Sequence, residues 1–152
     1  MYLRAKRVKV MEINDIKNLP LLIETSQLLM TTGVEIISRA GVELVKSIRD
    51  TETDSSIQFQ MILTESECCT VTKIITNILT VLPTKNPEIL KICASNINSL
   101  GTIVTASVNL KKTDMPQSLR SKIDYFKKEC INNNNKELWE KLQGFIYSIY
   151  NS

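Results

Sequence analysis

The chain has 152 residues, of which 43% are hydrophobic and 23% charged, and its formal net charge is +3. This composition is that of an ordinary soluble globular protein, and the length favours one domain, residues 1–152, rather than two. Wholesale disorder and a membrane-spanning class are disfavoured, and no signal peptide is visible, so we expect a cytoplasmic protein.

The net charge conceals an uneven distribution along the chain. Residues 1–10 contain four cations and no anion, residues 11–67 contain four against ten, and residues 68–152 contain eleven against six. The first long segment is therefore acidic and the second half basic. Such asymmetry can steer a partner or bring two copies together head to tail, and it can equally reflect complementary faces of one bundle.

The N-terminal residues give an ambiguous signal. Residues 1–13 alternate loosely between apolar and polar side chains, which allows a strand, a short helix or a flexible basic arm. Ile57, Phe59 and Met61 alternate with glutamines, which allows a short strand, a loop or the start of the next helix. Because a strand needs a partner, these two segments together allow a small N-terminal strand pair.

A long helix is predicted over residues 21–49, after a turn that ends near Pro20. Its apolar residues are Leu22, Leu29, Val34, Ile37, Leu44, Val45 and Ile48. Gly33, Ala40 and Gly41 lie inside it, and each glycine lowers helix propensity by about 1 kcal/mol. We interpret these small residues as a close crossing or a bend.

Local signals mark the ends of three further helices. Thr64 and Glu67 form a capping-box pattern at the start of the second helix, and Pro83 ends it. Pro116 begins the fourth helix. A run of four asparagines then separates that helix from the last one, residues 136–150.

The third predicted helix, residues 86–110, is unusual because no charged residue lies between Lys91 and Lys111. Asn86 is a good N-cap, and Pro87 suits the first helical position. Its face opposite the apolar one carries neutral polar side chains: Ser95, Asn98, Thr102, Thr105 and Asn109. A helix without charge is expected to be enclosed on most of its circumference. The neutral face is then covered by other helices of the chain, by a second copy or by a partner helix.

These elements predict an all-α protein, an antiparallel bundle of about five helices around the uncharged third helix. The length of that helix would allow it to cross a bilayer. Its repeated serine, asparagine and threonine side chains would then need partners in lipid, so we interpret it as a core helix and expect no membrane span.

Catalytic signals are absent from the sequence. Without histidine the chain lacks the usual general base and the imidazole metal ligand, and it has no glycine-rich phosphate motif. The cysteines lack the paired spacing of a zinc site and are expected to be buried thiols in a reducing compartment. They are Cys68, Cys69, Cys93 and Cys130. We therefore predict a protein that is not an enzyme and has no metal or cofactor.

Six of the eight aromatic residues lie in the last 28 positions. Tryptophan and tyrosine are enriched at binding hot spots because they combine a large contact area with a polar tip. Trp139 and Tyr147 are therefore predicted, with the neutral face of the third helix, to contact a partner. The alternative is that the last helix brings the bulk that completes the core.

Basic residues with an interleaved aromatic ring suggest a second kind of partner, nucleic acid, because cations meet phosphates while rings stack on bases. These residues are Lys111, Lys112, Arg120, Lys122, Tyr125, Lys127 and Lys128. Asp124 lies four residues from both Arg120 and Lys128, so local compensation is expected. A solvated helix face is therefore the favoured interpretation of this segment.

The leading functional hypothesis is a non-catalytic bundle that binds another protein or itself through a helix face, as an adaptor, a regulator or a structural protein. The alternative is a nucleic-acid-binding accessory protein that uses the basic C-terminal half. A weaker alternative is a small viral regulator of host signalling built like the Bcl-2 bundles, which also wrap amphipathic helices around one uncharged helix. Leu29 and Gly33 match part of the Leu-x-x-x-Gly-Asp pattern, but Val34 replaces the aspartate, so this is an architectural analogy and not a family resemblance.

Overall fold

The computed structural model describes residues 13–50, 60–107, 110–132 and 135–151, and in these residues the chain forms five helices. The helices are α1 (Ile13–Asp50), α2 (Glu65–Val81), α3 (Pro87–Ala106), α4 (Gln117–Asn132) and α5 (Lys136–Ile149). Two short strands, β1 (Thr113–Asp114) and β2 (Tyr150–Asn151), pair in parallel. The predicted all-α bundle is therefore confirmed. The predicted N-terminal strand pair lies largely outside the described residues.

The first helix is longer than predicted. α1 contains 38 residues, about 57 Å, and Pro20 lies inside it instead of ending a preceding turn. A proline within a helix removes one backbone donor, whose acceptor would be the carbonyl of Ile16. Both residues lie on the exposed side of α1, where water can take the place of that donor.

Small residues in α1 do not all mark a crossing. A Cβ atom at Gly33 would lie 2.8 Å from Cδ1 of Ile103, so this glycine lets α1 approach α3 closely, as predicted. A Cβ atom at Gly41 would meet nothing within 4 Å. Only Gly33 of the two is therefore explained by packing inside the chain.

The second helix begins at the predicted capping box. The Oγ1 atom of Thr64 accepts a hydrogen bond from the Glu67 amide at 3.1 Å, and Oε1 of Glu67 accepts one from the Thr64 amide at 2.8 Å. The same carboxylate pairs with the guanidinium of Arg39 on α1. Glu67 is buried, so this ion pair fixes the crossing of α1 and α2 in the core.

The third helix begins as predicted but ends earlier. Oδ1 of Asn86 accepts hydrogen bonds from the amides of the first turn, and Pro87 occupies that turn. The helix ends at Ala106 instead of residue 110, because Leu110 forms a parallel bridge with Met61. Lys111 and Lys112 therefore follow the bridge residue Leu110 and do not lie at a helix C-terminus, and Asn109 is outside the described residues.

The centre of the bundle is α2 and not α3. Eight of the 17 residues of α2 are buried, against seven of the 20 residues of α3. α3 packs one face against α1 and α5 and leaves the other open. Its neutral polar side chains do not need an enclosed site, because some are satisfied locally: the Thr102 hydroxyl donates to the Asn98 carbonyl at 3.1 Å.

α3 is also the one helix among the described residues that is long and apolar enough to cross a membrane. The core helix of a soluble protein meets the same criteria. The apolar face of α3 lies in the core of this bundle, as the sequence predicted.

Candidate interaction surfaces

The neutral face of α3 borders an open groove between α3 and α5. Ser95, Asn98, Thr102 and Thr105 are all exposed, so helices of the same chain do not cover this face. The groove has a volume of about 480 Å³. Its lining residues are Asn98, Gly101, Thr102, Thr105, Ala106, Lys141 and Phe145.

The floor of this groove is an aromatic ring packed on a glycine. A Cβ atom at Gly101 would lie 2.4 Å from Cζ of Phe145, so only glycine allows the ring to rest against α3. At the rim, Nζ of Lys141 donates a hydrogen bond to Oδ1 of Asn98. The groove therefore offers an apolar floor with polar, weakly charged edges.

The two aromatic residues predicted to join this face do not. Trp139 is only 2% exposed and belongs to the core, so the prediction that it contacts a partner is wrong. Its ring instead supplies bulk to the core, which is the alternative that the sequence left open. Tyr147 is 38% exposed, but it lies two positions beyond Phe145, about 200° around the helix axis. It therefore points away from the groove.

The basic residues are exposed but do not form one surface. All seven predicted nucleic-acid contacts are on the surface or at its edge: Lys111, Lys112, Arg120, Lys122, Tyr125, Lys127 and Lys128. Lys122 lies two positions from Arg120 and hence about 200° around α4, on the opposite flank. Tyr125 accompanies Lys122 and packs its ring edge to face with Phe126, with the ring centroids 4.9 Å apart.

Local charge compensation on α4 is weaker than the spacing suggested. In the described part of the chain, no ion pair within 4 Å joins Asp124 to Arg120 or to Lys128. The predicted compensation is therefore not realised in direct contacts, and these cations remain available to solvent.

The four cysteines occupy different environments. Burial raises the pKa of Cys93 to about 12, with a smaller contribution from Cys130, and burial likewise raises the pKa of Cys130 to about 12, with a contribution from Glu129. Burial also raises the pKa of the half-buried Cys68, whereas Cys69 is exposed, so the expectation of four buried thiols is wrong at that position. Among the described residues, no three potential metal ligands cluster.

The most apolar exposed surface was not identified from the sequence. α1 buries one set of residues, Leu22, Leu29, Ile36 and Ala40, and exposes another. Six exposed apolar residues that lie along one side of the helix are here called the apolar stripe: Met30, Val34, Ile37, Leu44, Val45 and Ile48. Ile16, Ile23 and Val42 are exposed on α1 as well. The exposed fractions of the stripe residues range from 37% at Ile37 to 72% at Met30. Together these residues expose roughly 600 Å² of surface, which is at the upper end for the largest apolar patch of a typical monomer.

The end of α1 projects beyond the core. From Gly41 to Arg49 no described side chain is buried. Of the seven apolar residues named for the predicted helix, Leu22 and Leu29 are buried, whereas the other five belong to the apolar stripe. The sequence did contain a signal for this surface, because apolar residues occupy a wider part of the circumference of α1 than one contact with the core requires.

Comparison with protein-family models, with curated proteins and with solved structures finds no match for this chain. Its function is therefore inferred from the surfaces of the described residues. Among these, the apolar stripe is the one with the strongest physical reason to be covered, because large contiguous apolar patches on soluble proteins mark interaction sites.

Proposed function

We propose that this protein is a non-catalytic helical bundle that acts by binding another protein, as an adaptor, a regulator or a structural component. The apolar stripe on α1 carries the proposal. Burying it would remove apolar area from water, which is the main driving force of protein association. The side chains are presented along one side of a helix, so they are already oriented for a partner.

The chemistry of the chain supports a non-catalytic role in the cytoplasm. The chain has no histidine, so the most common proton-transfer group is missing. The described cysteines are all free thiols, and Cys69 is exposed, which suits a reducing compartment. Both observations support the proposal without depending on any partner.

The proposal is tested by comparing two candidate faces in one binding experiment. Affinity-tagged wild-type protein, Ile37→Glu on the apolar stripe and Thr102→Arg in the α3 groove are each used to isolate bound protein from cell extract. Because both side chains are exposed, each variant is expected to keep the helical circular dichroism of the wild type. We expect Ile37→Glu to lose at least 90% of the specifically bound protein, including further copies of the chain itself.

The control is Ile62→Glu, which makes the same chemical change at an exposed isoleucine outside α1, 57% exposed against 37% for Ile37. It is expected to bind as the wild type does. If neither Ile37→Glu nor Thr102→Arg changed what is bound, the proposed protein-binding function would be wrong.

Nucleic-acid binding is the second candidate, favoured by the uncompensated cations on α4. Arg120, Lys127 and Lys128 share one side of the helix, and exposed Tyr125 offers a ring for stacking beside Lys122 on the other flank. Fluorescence anisotropy with a labelled single-stranded oligonucleotide would show affinity that falls steeply with salt. Absent binding, or binding that does not depend on salt, would remove this candidate.

A further inference from the structure

We infer that the partner on the apolar stripe is a second copy of this chain, paired with the first in antiparallel orientation along α1. This inference rests on the proposed function and adds the identity and direction of the partner. It starts from the spacing of the stripe. Met30, Ile37 and Leu44 recur every seven residues, Val34 falls between the first two of them, and Ile48 follows Leu44 by four positions.

This spacing is that of a helix that packs against another helix. In a coiled coil, apolar residues alternate at three and four positions so that one seam faces the partner. Here the seam runs from Met30 to Ile48, about 27 Å. Gly41 occupies the remaining seam position, and a Cβ atom there would meet nothing within 4 Å, so the position is open to an incoming side chain.

One antiparallel register makes every layer of the seam apolar. In this register Met30 lies opposite Ile48 of the second copy, Val34 opposite Leu44, and Ile37 opposite Gly41. The large isoleucine side chain then enters the space that the glycine leaves. If the second copy is shifted by seven residues in one direction, the polar Gln27 enters the seam opposite Leu44. If it is shifted in the other direction, fewer seam residues meet and the contact is shorter.

The other orientation fits less well. Parallel pairing would place Gly41 against Gly41 of the second copy and leave a void in the middle of the seam, which costs stability. In the antiparallel register each pair of facing residues occurs twice, once from each copy, and a two-fold axis passes between Ile37 and Gly41. Self-complementarity of this kind is what a two-fold dimer interface requires.

The neighbouring positions place no charge between the copies. Thr31, Ser38 and Val45 flank the seam, and all three are uncharged and exposed. The ionised residues of this part of α1, Glu35 and Glu43 among them, lie farther around the helix. Two copies can therefore approach without repulsion between like charges.

The area is sufficient for a dimer. The apolar stripe exposes roughly 600 Å² per copy, so two copies would bury at most about 1,200 Å² from these residues, which reaches the lower limit of a standard stable interface. The flanking residues add to this area. Two copies thus cover the stripe without any additional partner.

The inference is tested first by molar mass. Light scattering and sedimentation of the purified full chain over a hundredfold range of concentration are expected to show a monomer–dimer equilibrium. Ile37→Glu is expected to raise the dimer dissociation constant at least 100-fold, and Ile62→Glu less than threefold. Should Ile37→Glu lose its helical circular dichroism, Val34→Glu makes the same test at a more exposed position of the stripe.

Orientation is tested by engineered cysteines in a Cys69→Ser background, which removes the exposed native thiol. Ser38→Cys lies beside the two-fold axis and is expected to form a disulfide-linked dimer on mild oxidation. Thr31→Cys would lie about 24 Å from its counterpart and should not cross-link. Glu35→Cys, which faces away from the seam, is the matched control and should also remain monomeric on a non-reducing gel.

Each failure has its own meaning. A wild-type chain that is monomeric at every concentration, or a dimer that survives Ile37→Glu, overturns the inference of a second copy. Cross-linking through Thr31→Cys overturns the antiparallel orientation. If the wild type is monomeric but Ile37→Glu still loses the protein bound from cell extract, only the inference of a second copy is overturned. If the wild type is monomeric and neither Ile37→Glu nor Thr102→Arg changes what is bound, the proposed function is overturned as well.

Discussion

At the scale of single residues, Glu67 has two structural roles. Its carboxylate closes the capping box of α2 and also pairs with Arg39 of α1 in the core. A capping box needs only an acceptor at this position, and glutamine supplies one. The charge itself is required only because Arg39 lies opposite.

This division of roles makes a stability prediction. Removing one partner of a buried ion pair typically costs about 3–5 kcal/mol, and since Arg39 is partly exposed we expect Arg39→Met to cost about 3 kcal/mol. The double variant Arg39→Met/Glu67→Gln should be more stable than Arg39→Met alone, because no buried charge is left unpaired. Urea unfolding followed by circular dichroism measures both values.

The control for that experiment is Lys136→Met, which breaks the exposed pair with Glu140 and should cost at most about 0.5 kcal/mol. Equal stability of Arg39→Met and Lys136→Met would contradict the structural role assigned to the buried pair.

The buried thiols predict a loss of stability in alkali. The pKa of Cys93 is raised to about 12 from an ordinary value of 9.0, mainly by burial. The stability associated with the protonated thiol is therefore fully present below pH 9 and is lost as the pH rises from 9 to 12, because the unfolded chain ionises first. The destabilisation caused by Cys93→Ala should accordingly be smaller at pH 10 than at pH 8.

Urea unfolding at the two pH values measures this difference. Ile97→Val, a buried change on the same helix that removes no titrating group, should cost about 1 kcal/mol at both pH values. A Cys93→Ala cost that stayed constant or increased with pH would contradict the predicted linkage.

At the scale of elements, the turn between α2 and α3 is held by Asn135 from the start of α5. The Nδ2 atom of its side chain donates hydrogen bonds to the backbone carbonyl of Leu82, at 2.6 Å, and to that of Thr84, at 3.0 Å. The Thr84 hydroxyl donates in turn to Oδ1 of Asp15 at the beginning of α1. One buried polar network therefore joins three elements at this end of the bundle.

Asn135→Ala would leave two buried carbonyl groups without donors. Each is expected to cost about 1–3 kcal/mol, so the variant should lose roughly 2–6 kcal/mol of stability in urea unfolding. Asn151→Ala, which removes an exposed amide hydrogen-bonded to Asp114, should change stability by less than about 0.5 kcal/mol. Similar losses in the two variants would show that the network does not stabilise the turn.

At the scale of the whole molecule, the extent of side-chain burial differs from helix to helix and decreases along α1 towards its C-terminal end. α2 lies in the middle of the core, whereas α1 after Gly41 has no buried described side chain. Local opening is easiest where few apolar contacts are lost. The protein is therefore expected to have one end that opens far more readily than the rest.

Amide hydrogen exchange measures this gradient. In dilute solution the amides of α2 from Ile74 to Val81 should exchange at least 100-fold more slowly than those of residues 42–49. Raising the protein concentration should slow the second group if α1 pairs with a second copy, since the paired helix opens less often. Uniform exchange along α1 at all concentrations would contradict both the gradient and the pairing.

Much of the secondary structure could be predicted because the decisive interactions are local. The capping box at Thr64, the N-cap at Asn86 and the proline at Pro116 each involve residues within one helical turn, and each begins a helix in or beside the predicted position. The exceptions depended on distant partners. α3 ends early because Leu110 pairs with Met61, and Trp139 is buried because other helices surround it.

The sequence by itself determined that the chain is helical, where most helices begin, and that α1 is rich in apolar residues. Only the tertiary structure decided which of those residues are buried. One reason is length: α1 extends about 57 Å, while α2 and α3, which pack against it, extend only about 26 Å and 30 Å. Shorter neighbours cannot cover the whole of a longer helix, so α1 is left uncovered after Gly41. The other reason is direction: Met30, Val34 and Ile37 lie on a different side of α1 from the buried Leu29 and Ile36, so the apolar stripe remains on the surface, where a second copy can bury it.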